Sequence, residues 1–183
     1  MRLVPSTCLT ALVIGLALAL PAETAPAGDP NQTLTLTSSA FRNGGAIPER
    51  YTCSGQNESP ELTWTGVPHG TRSLALILDD PDAPMGTFTH WVAYNLSPTT
   101  KGLPEGVPAS ASVGEGEQGI NGRGTTGYTG PCPPSGKPHH YYFRLFALDE
   151  RLPLNGGATA HQVEDVLEGH VLASAELIGA FQR

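Results

Sequence analysis

From Thr33 to the C-terminus a proline or glycine recurs every few residues, and the apolar runs between them are short. Proline removes a backbone donor and glycine raises the entropic cost of ordering, so such punctuation breaks up long helices and suits short strands joined by turns. Thr33–Ser38 alternates Thr with Leu34 and Leu36. Ser73–Asp79 holds the continuous apolar run Leu74 to Leu78, Phe88–Leu96 is β-branched and aromatic, and His140–Leu148 is strongly aromatic. Each reads as a strand, and together they predict a mainly β domain with a sandwich or barrel core. One segment departs from this pattern. Thr159 to Gln162 has the spacing of a capping box, Val163, Val166 and Leu167 follow at helical intervals, and Gly169 supplies a stop. A single amphipathic helix of about ten residues is expected there. The tail Val171–Phe181 fits either strand or helix. Residues 114–130 are rich in glycine and read as a long surface loop, a length that is often functional.

The first residues bear on compartment. Arg2 is the only charge before Glu23, and the apolar stretch Leu9 to Leu20 lies between them. A positive start, a short apolar core and small residues are the layout of a secretory signal peptide, and the core is shorter than the ~20 residues a membrane span needs. Cleavage is expected after Ala22 or after Ala27. Residues 1–22 are thus expected to be a signal peptide, 23–32 a flexible leader and 33–183 one domain, in a protein exported to the periplasm or secreted without a stable membrane anchor. A domain of this size buries a core without metal. The chain holds 10 basic and 17 acidic residues, a formal charge of −7. An acidic surface without basic runs is a poor match for nucleic acid, so any bound anion must be held by local geometry. Loss of Cys8 with the signal leaves Cys53 and Cys132, 79 residues apart. An even pair in an oxidising compartment suggests one disulfide, worth roughly 4–5 kcal/mol in the chain-entropy model, with two free thiols as the alternative.

The most obvious motif misleads. Residues 114–119, Gly-Glu-Gly-Glu-Gln-Gly, match a dinucleotide-binding pattern literally, but no apolar strand closely precedes them, no helical pattern follows, and two glutamates would repel a pyrophosphate. Three other pieces carry chemistry. Asp79-Asp80-Pro81-Asp82-Ala83-Pro84 makes an acidic turn stiffened by proline. Thr89-His90-Trp91 lies within a strand, where regular alternation would put His90 on one face with Val92 and Tyr94. Gly130-Pro131-Cys132-Pro133-Pro134 is a rigid loop whose remaining backbone donors, at Gly130 and Cys132, can aim at a ligand. It leads into His139-His140-Tyr141-Tyr142, where His139 and Tyr141 share a side.

In this order, with Tyr51-Thr52-Cys53, Ser59-Pro60-Glu61-Leu62-Thr63-Trp64 and the ending Gly169-His170-Val171-Leu172-Ala173, these motifs resemble the phosphatidylethanolamine-binding protein family. The similarity is to its bacterial, Raf-kinase-inhibitor-like branch and runs from about Leu34 to Phe181. The resemblance implies an antiparallel Greek-key β core with peripheral short helices, and a small pocket for phosphate, acetate or a phospholipid head group. By position, Asp80 is the pocket acid, His90 and His139 the histidines, Gly130, Pro131 and Cys132 the rim and Tyr141 the hydroxyl donor, with Asp82 and Pro84 supporting the turn. It also implies a modulator or inhibitor of a kinase or hydrolase, with residues 99–138 as the contact surface for a protein target. Two positions depart from the family pattern. Ser54 stands where bacterial members usually carry an acid, and His140 stands where an arginine is common.

These residue types suit an anionic or phosphorylated ligand. Imidazole N–H groups and a tyrosine hydroxyl donate hydrogen bonds, while a carboxylate can orient an imidazole or accept from a ligand's ammonium group. The alternatives use the same residues. His90 or His139 oriented by Asp80 could act as a general base in a hydrolase, a reading that a free Cys132 thiolate would strengthen. Asp80, His90 and His139 also make a two-His-one-carboxylate set. No nucleophile sits in a recognisable elbow, so the sequence favours a binder that needs neither metal nor cofactor.

Overall fold

The structure is a computed structural model that describes residues 33–183. The expected signal peptide and leader lie outside the described residues. No described helix is long and apolar enough to cross a membrane.

The elements in chain order are β1 (Thr35–Thr37), β2 (Gly45–Ala46), a single 3₁₀ turn (Glu49–Tyr51), β3 (Leu62–Thr65), β4 (Ser73–Asp80), β5 (Phe88–Leu96), β6 (Gly102–Leu103), β7 (Ser112–Val113), β8 (Gly116–Gln118), β9 (His139–Leu148), α1 (Ala160–Leu167) and β10 (Val171–Phe181). The ambiguous tail is therefore a strand, paired antiparallel to β9 along nearly its whole length. The helix starts where its capping box puts it. Thr159 accepts from the Gln162 backbone N–H, and the Gln162 side chain accepts from the Thr159 backbone N–H.

Two sheets form. A small one has the order β1-β3-β6, and a large one the order β2-β10-β9-β4-β5-β8-β7. Within the large sheet β4, β5 and β8 are successive antiparallel neighbours, and β9 returns from a long connection to lie beside β4. That spatial order, 9-4-5-8, is a Greek key. The continuous apolar run belongs to the central strand, and every residue of β4 is buried. Alternation divides its side chains between two cores. Leu74, Leu76 and Leu78 join Trp64, Phe143 and Leu145 on the face covered by the small sheet. Ala75 and Ile77 join Tyr94, Val163 and Leu167 under α1. A strand buried on both faces reads as an unbroken apolar run instead of an alternating one.

Residues 114–130 are more than a surface loop. They contain β8, whose Gln118 is fully buried and accepts a 2.7 Å hydrogen bond from the Trp91 indole N–H. The misleading glycines have packing roles. A Cβ at Gly119 would lie 2.1 Å from the Ala158 carbonyl oxygen, and one at Gly116 2.7 Å from that of Tyr94. These glycines let the segment lie flat against the sheet rather than cradle a phosphate.

Candidate functional site

The site begins where β4 ends. Alternation sends adjacent carboxylates to opposite faces of the sheet. Asp79 turns toward the helix, where Arg144 bridges it to Glu164 of α1, the latter contact at 2.8 Å. Burial, opposed by the Arg144 guanidinium, leaves the Asp79 carboxyl above its ordinary pKa. Asp80 turns the other way. It accepts from His139 Nδ1 at 2.7 Å and from the Asp82 backbone N–H at 2.9 Å. Asp82 is in turn tied to the backbone N–H and the Nδ1 of His140, at 2.9 and 2.8 Å, and these bonds hold its carboxyl below the usual range. The turn after β4 thus acts as a brace between two strands, with Asp80 on the inner side and Asp82 on the outer.

The position of His90 corrects the expectation from simple alternation. Leu78 pairs with Trp91, but the next pair is Asp79 with Thr89, so β5 carries one extra residue, His90. A β-bulge of this kind re-aims the side chains around it. His90 does not share a face with Val92 and Tyr94, which pack under the helix. Its ring meets Tyr141 edge-on, with centroids 5.2 Å apart, and Phe88 at 4.8 Å. His90 Nδ1 donates to the Thr129 carbonyl at 2.7 Å, since a carbonyl can only accept. That contact fixes the neutral tautomer and leaves Nε2 with a lone pair. Burial holds the imidazole's pKa below its ordinary value, against the upward pull of the Thr129 carbonyl and the Asp80 charge.

Asp80, His90, Cys132, His139 and Pro84 all line one cavity of about 290 Å³, together with Arg123. Tyr141 sits among these groups, fully buried, and its hydroxyl is the one buried side-chain polar atom without a hydrogen-bond partner among the described residues. Burial and the Asp80 charge push the phenol's pKa well up, so it remains a donor.

The loop Gly130–Cys132 divides into two parts. The Gly130 N–H, expected to be free for a ligand, is used by Asn57 Oδ1 at 2.8 Å. A Cβ there would lie 2.4 Å from the Tyr51 carbonyl oxygen. The Pro131 carbonyl accepts from the Cys53 N–H at 3.0 Å. Gly130 and Pro131 therefore anchor the loop to the 49–57 turn, while Cys132 reaches the cavity. Cys132 is disulfide-bonded to Cys53, with a Cα–Cα distance of 5.4 Å. No thiolate is then available there as a nucleophile. His140 lies on the outer side of β9 and is half exposed, so an arginine at its position would not enter the cavity directly. The cavity's positive charge comes from Arg123, which sequence reasoning missed because it lies far along the chain in a loop. The local signal was Asn121, whose side-chain oxygen accepts from the Arg123 and Thr125 backbone N–H groups and shapes that turn. Among the described residues no group of three or more His, Cys, Asp or Glu is arranged to hold a metal ion.

A Greek-key β domain with a preformed polar cavity at the end of its central strands is, as a class, a ligand-binding fold. The model of the phosphatidylethanolamine-binding protein family matches residues 37–182, and the chain belongs to that family. A UPF0098 protein of Methanothermobacter thermautotrophicus is 52% identical over 151 residues, covering 82% of this chain and 99% of the relative. A UPF0098 protein of Aquifex aeolicus is 49% identical over 148 residues, covering 80% of this chain and 86% of the relative. Two crystal structures superpose with a TM-score of 0.76 each. One is a phosphatidylethanolamine-binding protein homologue from Chlamydia trachomatis, at 40% identity, covering 83% of this chain and 99% of that one. The other is Escherichia coli YbcL, described as a member of the mammalian family, at 34% identity, covering 82% of this chain and 98% of that one.

Proposed function

We propose that this is an exported protein that binds a small phosphorylated or other anionic ligand in the cavity between Asp80, His90, His139 and Tyr141, and that occupancy modulates a protein target. The observation that carries the ligand reading is the preformed cavity of about 290 Å³ in which Arg123, His90 and His139 converge beside Asp80. The Tyr141 hydroxyl is buried behind these groups, next to Asp80. Arg123 adds a charge-assisted donor. Asp80 is directed at His139 and does not itself face an anion alone; its charge suits a zwitterion whose ammonium group accompanies the phosphate. The export reading is supported by the apolar N-terminal stretch and by the disulfide, a bond that persists in oxidising compartments.

The test is calorimetric titration with glycerophosphoethanolamine, whose charge does not change between pH 6 and pH 8. Binding is expected at both, and tighter at pH 6, because an anion oxygen facing His90 Nε2 needs that nitrogen protonated. Absence of binding at both values overturns the ligand reading. Mass spectrometry of the protein recovered from its native host tests export, which predicts a mature N-terminus at Glu23 or Gly28.

A further inference from the structure

The Cys53–Cys132 bond lies between two cavities. Cys132 lines the one that holds Asp80 and the histidines. Cys53 lines a second, of about 330 Å³, with Asn57, Tyr128 and Thr129. Arg123 lines both, and among the described residues no carboxylate lines the second. The two sulfurs differ in their surroundings. Cys53 is exposed, whereas Cys132 is partly buried between Pro131 and Pro133, both of which are buried. Cys132 Sγ also accepts a hydrogen bond from the Arg183 guanidinium at 3.8 Å. A thiolate opens a disulfide by attacking one sulfur in line with the bond, and the other sulfur leaves as a thiolate. A guanidinium beside the leaving sulfur stabilises that charge. Access therefore marks Cys53 as the sulfur attacked, and Arg183 marks Cys132 as the one released.

The segments that carry the two cysteines are also held by other bonds. The Cys53 N–H donates to the Pro131 carbonyl at 3.0 Å, the Gly130 N–H to Asn57 Oδ1 at 2.8 Å, and the Tyr128 hydroxyl to the Tyr51 carbonyl at 2.6 Å. Opening the disulfide leaves these ties in place, so the two sulfurs stay within reach of one another.

We propose that Cys53–Cys132 is a thiol–disulfide exchange site for small anionic thiols, entered from the second cavity. The incoming thiolate forms a bond to Cys53 Sγ as the Cys53–Cys132 bond breaks, and the electron pair passes to Cys132 Sγ. The product is a mixed disulfide on Cys53 and a thiolate on Cys132 beside Arg183. The thiol is the only co-reactant, and return attack by Cys132 expels it and restores the bond. Arg123 at the approach favours a thiol that carries carboxylates. The inference does not rest on the anion-binding reading.

The test treats the oxidised protein with reduced glutathione under native conditions, quenches with acid, alkylates free thiols with a maleimide and maps both cysteines by mass spectrometry. Glutathione is expected on Cys53 and the maleimide on Cys132, by about ten-fold or more over the reverse. Adducts mainly on Cys132, or a bond that stays closed in excess glutathione, overturn the proposal. Arg183→Gln is expected to slow opening about three-fold. Arg123→Gln is expected to slow opening by glutathione about three-fold while leaving opening by uncharged 2-mercaptoethanol unchanged. An unchanged rate with glutathione in either variant overturns the role given to that arginine. A third variant separates reaction of the folded protein from reaction that waits for global unfolding. Thr159→Ala weakens the cap of α1, on the other face of the large sheet. Exchange in the folded protein is expected to keep the wild-type rate in this variant. Opening about five-fold faster would show that the bond reacts only in the unfolded chain, and would overturn the site.

Discussion

His90 is a buried imidazole held neutral, and that has a consequence for stability whether or not a ligand is present. Its pKa is below the ordinary value in the folded protein. The unfolded chain therefore binds more protons as pH falls through about 6.5, and the folded state loses stability from there downward until the folded-state pKa is passed. The melting temperature of the ligand-free protein is expected to be lower at pH 5.5 than at pH 7.5. His90→Asn, whose amide can keep a donor for Thr129 but does not titrate, is expected to flatten that slope. An unchanged slope in the variant would show that another group causes it. Tyr141 gives the opposite trade. Removing an unsatisfied buried hydroxyl as Tyr141→Phe is expected to leave the unfolding free energy unchanged or raise it by up to about 1 kcal/mol, while anion affinity falls about ten-fold. A large loss of stability would mean that the hydroxyl has a partner inside the fold. At this scale much of the site was legible. Asp80, His139 and Tyr141 follow from strand parity and the order of motifs. Arg123 was not legible, because its approach to the cavity depends on the path of a loop and not on any spacing in the sequence.

Among the elements, β5 shows where periodicity arguments stop. A strand's alternation is legible only while its register is unbroken, and the extra residue at His90 sits between two stretches that each alternate correctly. Nothing in Thr89-His90-Trp91 announces the insertion. The strands, the capping box and the stop at Gly169 were legible because each depends on neighbours in sequence. The helix it opens covers the second core, so Thr159→Ala is expected to cost about 1 kcal/mol in denaturant unfolding without altering anion affinity, since α1 and the cavity lie on opposite faces of the sheet. Gly119→Ala is expected to be more damaging, at about 2 kcal/mol or above. Its Cβ meets a backbone carbonyl that cannot move without opening the β8 segment. A neutral Gly119→Ala would mean that this segment sits less tightly on the sheet.

At the level of the whole molecule, the Greek-key arrangement brings together segments far apart in the sequence. The cavity uses residues from Asp80 to His139, and its rim is stapled to a turn before β3. Reduction of the Cys53–Cys132 bond is expected to lower stability by several kcal/mol and also to weaken anion binding, because Cys132 lines the cavity and the Cys53 N–H holds the Pro131 carbonyl. Unchanged affinity in the reduced, still folded protein would separate the staple from the site. The bond has one more effect, on the molecule as a connected object. Cys53 and Cys132 close β3 through β8 into a covalent ring, and the exposed stretch Gly122–Thr125 lies on that ring. A protease that cuts after Arg123 therefore opens a loop without dividing the protein. The two fragments would migrate as one until reduced, so a backbone break beside the cavity leaves its two sides tethered.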